Sequence, residues 1–285
     1  MLSWRIGDVT VTRVLELEAT GGTRFVLPQA TPEVVKEIGW LAPHFADETG
    51  RLRMSVHALA VQTPTRRIIV DTCIGNDKDR DISTWSGLQT SFLADLAAAG
   101  FPRESVDTVL CTHLHVDHVG WNTMLADGAW RPTFPNARYL LGRAEFDYWR
   151  GEDEGREDLS RSPFHDSVKP VFDAGLVDLV ETDHRICEEV SFEPTLGHTP
   201  GHVSVRIRSR GEEALITGDF IHHPCQFARP DWASRADYDE QASTATRQRM
   251  FGSLAGQPVL VIGTHFAAPT AGRVVRDGEA YRLAV

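Results

Sequence analysis

The stretch CTHLHVDHVG, Cys111 to Gly120, holds three of the chain's twelve histidines within six residues, with an aspartate between them. It follows VDTVLCT, a short apolar run that reads as a strand. Polar groups this crowded are costly in a core unless something binds them. Residues two apart in extended chain point the same way, so His113 and His115 can share one ion. Asp117 and His118 come after the chain turns and can face a second. Imidazole nitrogens and carboxylate oxygens are the ligands a divalent cation takes at about 2.0–2.2 Å. The stretch therefore predicts a metal-binding loop at a strand end. It is too short to complete two sites alone.

The rest of the chain offers partners in the same setting. The strand candidates EVSFEPTLG, EALITGD and PVLVIGTH also end beside His or Asp. They bring His198 and, after the turn made by Pro200 and Gly201, His202. They also bring Asp219, whose two oxygens could bridge two cations, and His265. Ligands on loops at the ends of sheet strands are a common way to build a site. Further strands are predicted at VTVTRVLELE from Val9, at NARYLLG and VSVRIRS, and in SVHALAVQT and RIIVDT, which read as a hairpin around Pro64. Helices are predicted at LQTSFLADLAAAGF, ended by Gly100, and at RAEFDYWRG, DSVKPVFDAG and YDEQASTATRQRMFGSLAG. Strands interleaved with helices give an α/β or α+β class, with helices covering sheets. Periodicity resolves neither Leu27–Met54 nor the loop Gly75–Gly87.

The bulk properties narrow the partners. With no repeat or linker in 285 residues, one domain is expected over 1–285, with residues 1–54 as a segment that shapes a pocket or a dimer contact. The net charge of −11 disfavours a phosphate-backbone partner, so no nucleic acid is expected. No stretch approaches a membrane span. The N-terminal MLSWRIGDVTVTRV lacks the basic start and apolar run of a secretory leader. The four scattered cysteines form no CxxC pair, and together these features predict a cytoplasmic protein with free thiols.

THLHVDH, GHTPGH, TGD and GTH occur in an order and spacing that resemble the metallo-β-lactamase superfamily. The chain is most similar to the branch holding methyl parathion hydrolase and the N-acyl homoserine lactonases, through LAAAGFPRESVDTVLCTHLHVDHVG and TGDFIHHPCQF. The resemblance implies an αββα sandwich, two mixed sheets flanked by helices, with a two-metal site at one sheet edge. Carried over, the first metal takes His113, His115 and His198. The second takes Asp117, His118 and His265, and Asp219 bridges. His198 is preferred to His202 for the first metal, which leaves His202 to orient the site from behind. Two divalent ions are implied, zinc first, with manganese, iron or cobalt as alternatives. The implied activity is hydrolysis of a small ester, lactone or organophosphate by a metal-bridging hydroxide, with Asp117 and Asp219 in catalytic roles. An iron-dependent redox enzyme of the sulfur dioxygenase kind is the alternative, and a homodimer is expected. Where lactonases of this branch often carry a tyrosine after the bridging aspartate, this chain has Phe220, His222 and His223. His222, His223, Trp85, Phe146 and Tyr148 are candidates for the substrate pocket, with Trp121 narrowing its mouth.

Overall fold

Alternating β-branched stretches build the first layer of the computed structural model, which describes residues 1–285. In chain order come β1 (Ser3–Ile6), β2 (Val9–Thr20), α1 (Pro32–Lys36), β3 (Arg53–Gln62), β4 (Arg67–Val70), α2 (Phe92–Ala98) and β5 (Thr108–Leu110). A separate hairpin, β6 (Thr123–Ala126) and β7 (Ala129–Pro132), precedes β8 (Arg138–Gly142), α3 (Arg143–Glu154), α4 (Lys169–Asp173) and β9 (Val177–Val180). Strands β1-β2-β3-β4-β5-β8-β9 form one sheet in that order. Its pairs are antiparallel as far as β4 and parallel from β4 to β9.

The second layer contains β10 (Val190–Pro194), β11 (Val203–Ser209), β12 (Glu212–Ile216), α5 (Cys225–Ala228), α6 (Glu240–Leu254), β13 (Val259–Ile262), β14 (Ala271–Asp277) and β15 (Ala280–Ala284). Strands β10 to β15 make a sheet in sequence order, antiparallel except for the β12–β13 pair. Buried Val11, Leu59 and Ile68 of the first sheet meet Val205, Ile207 and Ile262 of the second in one shared core. The outer face of the first sheet packs Phe92, Leu96, Phe146 and Val171 from its helices. The outer face of the second packs Met250, Phe251 and Leu254 of α6, along with Val35 and Leu41. The layers are helix, sheet, sheet, helix, as expected for two mixed sheets flanked by helices.

Local differences from the sequence reading have physical causes. The helix expected from Leu88 begins only at Phe92. Leu88 and Thr90 instead bond the preceding loop, the Leu88 carbonyl accepting from Asp77 N–H at 3.1 Å and Thr90 N–H donating to Asn76 Oδ1 at 2.8 Å. The helix expected at DSVKPVFDAG is joined to a π-helical turn over Phe164–Val168. Strand β10 stops at Pro194, four residues before His198, so that histidine lies on a loop rather than directly on the strand end. The segment Leu27–Met54, unresolved by periodicity, is largely short turns and α1, and its Leu27, Ile38 and Phe45 are buried in the second layer.

Strands β4, β5, β12 and β13 each run into a residue of the polar cluster: Asp71, His113, Asp219 and His265 in turn. They bring that cluster together at one edge of the sandwich.

Candidate metal centre

The loop after β5 turns tightly enough to gather its own histidines. Its end is fixed at Gly120, where an added Cβ would lie 1.8 Å from the Ile74 carbonyl oxygen. His113 Nε2 lies 3.0 Å from His115 Nδ1, and His198 Nε2 lies 2.9 Å from that same nitrogen. A second group faces it. His118 Nε2 and His265 Nε2 are 3.2 Å apart, and Asp117 reaches them at 3.8 and 3.5 Å through its two oxygens. Asp219 Oδ2 sits between the groups, 3.2 Å from His265 Nε2, 3.4 Å from His118 Nε2, 3.7 Å from His198 Nε2 and 3.9 Å from His113 Nε2.

The far nitrogens of these rings show which near nitrogens carry lone pairs. His198 Nδ1 is 2.8 Å from Asp237 Oδ1, and His118 Nδ1 is 2.8 Å from Asp71 Oδ2. His265 Nδ1 donates to the Ser55 carbonyl at 3.0 Å. Thr112 Oγ1 donates to Asp71 Oδ2 at 2.9 Å and so accepts from His113 Nδ1 at 3.1 Å. With each Nδ1 proton so committed, any of these four rings that is neutral presents a bare Nε2 lone pair to its neighbours and to two carboxylates. Lone pairs so placed repel unless a cation lies among them. Ligands on a tetrahedral ion at about 2.0–2.2 Å are themselves about 3.3–3.6 Å apart, close to the spacing in this cluster. The residues therefore fit divalent metal. Four groupings satisfy the demand for three mutually close ligand atoms: His113, His115 and His198; His113, His118 and Asp219; Asp117, His118 and His265; and His198, Asp219 and His222.

Electrostatics divides the cluster in the same way. Burial, with neighbouring imidazoles adding to it, pushes His113 and His198 well below the usual histidine value, and burial pushes His115 down to about 4. Burial opposes charge on His118 and His265 too, yet Asp219, Asp71 and Asp117 hold His118 well above the usual value, and Asp219 with Asp117 holds His265 at about 8. Burial would raise the Asp219 carboxyl, but His265, His118 and His222 keep it well below the ordinary carboxylate range. The second group thus carries the stronger preference for positive charge before any ion binds.

The remaining candidates separate cleanly. His202 belongs to none of the ligand groupings. Its Nε2 accepts the Asp219 backbone N–H at 2.7 Å, while its Nδ1 meets Thr195 Oγ1 and O at 2.9 Å. Burial holds it neutral, its pKa lowered to about 4. His222 does face the cluster, with Nε2 3.4 Å from Asp219 Oδ2, and its buried Nδ1 has no partner. His223 turns away, donating from Nε2 to the Phe45 carbonyl at 2.8 Å and accepting Cys225 N–H at Nδ1. Trp85 lines the pocket above the cluster.

Trp121 does not narrow the mouth. It is 5% exposed, stacks on Phe92 and donates its indole N–H to Glu16 at 2.6 Å, because the turn at Gly120 points it into the core. Phe146 likewise packs in the core against Phe164 and Phe172, and Tyr148 pairs with Trp149 and Tyr238 outside the pocket. Both are placed by the register of α3.

The pocket itself has a volume of about 720 Å³. Leu17, Phe25, Met54, Val56 and Ile82 contribute apolar wall, and His115, Asp117, His198, Asp219, His222 and His265 form its floor. No Lys or Arg lines it. The residues from Leu17 to Val26, and Met54, come from the N-terminal segment.

Two important residues escape the sequence reading. Asp71 ends β4 in the left-handed region, at φ 57°, and holds both His118 and Thr112. RIIVD is an apolar strand ending in Asp, the same signal that marks Asp219, so this residue is accessible to that reasoning. Asp237, which holds His198 from 39 residues away, lies in an irregular loop with no motif around it. Carboxylates behind metal-binding histidines fix the tautomer and raise ligand basicity.

Residues 52–262 match the metallo-beta-lactamase superfamily. No curated protein matches the chain. Among solved structures, the hydrolase AbOPH of the beta lactamase superfamily is similar at 25% identity and TM-score 0.80, over 100% of this chain and 97% of that one. AidC, a dizinc quorum-quenching lactonase, is similar at 20% identity and TM-score 0.78, over 99% and 95%. A probable metal-dependent hydrolase from Staphylococcus aureus is similar at 21% identity and TM-score 0.75, over 98% of each chain.

Proposed function

This chain belongs to the metallo-beta-lactamase superfamily, and from that premise we propose that it is a dinuclear metal-dependent hydrolase of small neutral esters, lactones or phosphotriesters. The observation that carries the reading is the pocket, whose apolar walls lead to the His/Asp floor with no basic side chain along the way. A polyanionic or strongly acidic substrate would find no basic side chain along the walls and would meet Glu18 there. A neutral acyl or phosphoryl group with an apolar substituent meets complementary walls instead.

His113, His115 and His198 are proposed to hold the first ion, Asp117, His118 and His265 the second, and Asp219 both. When bound, zinc or another divalent metal would supply an acidified water as nucleophile and polarise the scissile carbonyl or phosphoryl group. The chain's own residues do the rest. Asp71, Asp237, Ser55 and Thr112 keep the ligand imidazoles in one tautomer. His202 fixes the backbone of Asp219. Asp117, 13% exposed and so the most accessible carboxylate of the floor, is placed to take or return a proton at the leaving group. His222 presents a neutral imidazole to the substrate side, its pKa lowered by burial to about 3.

Residues 1–54 contribute β2 to the first sheet, Leu27 to Ala46 to the second layer's core, and part of the pocket wall. That interlocking supports one domain over 1–285. All four cysteines are free, which suits a reducing cytoplasm, and no helix is long and apolar enough to cross a membrane. Homodimerisation is part of the same proposal.

A hydrolysis panel tests the reading. Zinc- or manganese-loaded protein should cleave an aryl ester, a lactone or a phosphotriester and leave DNA and RNA intact. Nuclease activity without esterase or lactonase activity would reverse the substrate assignment. Oxygen uptake by iron-loaded protein in place of hydrolysis would replace the reading with a redox one.

A further inference from the structure

We propose that Glu145 is a positioning residue that ties together the two histidine-bearing loops of the first metal position and leaves the second position untouched. Glu145 lies in the first turn of α3 and is 1% exposed. Its Oε1 accepts the Leu114 N–H at 3.1 Å, on the peptide between His113 and His115. Its Oε2 accepts the Gly201 N–H at 2.9 Å, in the turn between His198 and His202. The same Oε1 also takes the Trp149 indole N–H at 2.6 Å, and that indole meets the His115 ring in a T-shaped contact with centroids 5.3 Å apart. One carboxylate thus holds the backbone beside His113 and His115, the backbone beside His198, and the ring packed on His115.

The turn is pressed against the helix start, since a Cβ added at Gly201 would fall 2.5 Å from Glu145 N. The loops have no freedom to separate while this contact stands. The second position is held by other groups, Asp71 behind His118 and the Ser55 carbonyl behind His265. Loss of the Glu145 contacts should therefore act on one ion only. A general loss of stability would act on both.

Glu145→Gln is the sharpest variant. It preserves size and one acceptor oxygen but sets an amide N–H against the N–H of Gly201 or of Leu114, so one loop is released. The inference rests on the proposed two-position assignment, and the experiment separates the two. Metal affinity is measured by chelator competition in a His118→Ala background, which leaves the first position, and in a His113→Ala background, which leaves the second. Thermal unfolding of each metal-free protein reports folding. Glu145→Gln should weaken the remaining ion about 10–100-fold in the His118→Ala background and by less than about twofold in the His113→Ala background. Glu145→Asp, which keeps the charge with a shorter reach, should give an intermediate loss in the first background alone. Equal weakening in both backgrounds, or weakening matched by a lower unfolding temperature of metal-free protein, would make Glu145 a core strut and overturn the inference. Unchanged affinity in the His118→Ala background would also overturn it. Should the parent chain bind a single ion, the dinuclear reading fails, yet the loss caused by Glu145→Gln at an ion held by His113, His115 and His198 still decides the role of Glu145.

Discussion

Asp219→Ala is expected to empty both metal positions and to reduce kcat/KM by on the order of a thousandfold or more, since metal-assisted charge stabilisation is worth several kcal/mol at about 1.36 kcal/mol per tenfold. The reason is its placement. A single oxygen, Oδ2, approaches the near nitrogens of His113, His198, His118 and His265 at 3.2–3.9 Å, so its removal takes away the one carboxylate oxygen that faces the histidines of both proposed positions. It also leaves four buried imidazoles without the anion that sets their charge. Asp117→Asn is the contrast. Asp117 approaches only His118 and His265. It should weaken the second position, leave the first occupied, and still abolish most turnover. Metal content by elemental analysis beside steady-state kinetics checks both. An Asp219→Ala protein that retained two ions would show that this carboxylate is not the bridge. An Asp117→Asn protein with parental turnover would remove Asp117 from the mechanism.

The second large effect separates the two histidines of GHTPGH. His198→Ala should lose the first ion and nearly all activity, because Nε2 of His198 converges on His115 Nδ1 at 2.9 Å. His202→Ala should keep both ions and lose about 10–100-fold in activity, the cost of a partner that orients a ligand without binding metal. Its ring accepts the N–H of Asp219 and anchors to Thr195, so it sets where the carboxylate lies. There is also no spare room beside it, as a Cβ at Gly218 would meet His202 Nε2 at 2.5 Å. Metal loss from His202→Ala with retention in His198→Ala would exchange the two roles.

Much of this cluster is legible in the sequence because candidate metal ligands obey short-range rules. HxHxDH follows from residue spacing and a strand before it, and Asp219 and His265 follow from apolar strands that run into His or Asp. The resemblance to a known superfamily joins these pieces and implies the layers. What stays hidden depends on packing between distant segments. Trp121 reads as a mouth residue by its place beside the motif, and only the close approach of Gly120 to Ile74 shows that the ring must turn inward. Glu145 looks like any acid in the first turn of a helix until Leu114 and Gly201 converge on it. Asp237 reaches His198 from a loop with no periodicity. Phe146 reads as a pocket residue because aromatic side chains near a motif invite it, but the register of α3 sends it to the core. The N-terminal wall of the pocket is invisible for a related reason. Leu17, Glu18 and Ala19 line it only because β2 runs on past its bulge at Leu15/Leu17 towards the polar cluster.

The central claim is that two ions share Asp219, and the count of ions per chain tests it most directly. Protein stripped with chelator, reloaded with zinc to saturation and freed of excess metal should hold about two ions per chain, with the two lost together in Asp219→Ala. A saturating ratio near one, unchanged by further zinc, would contradict it.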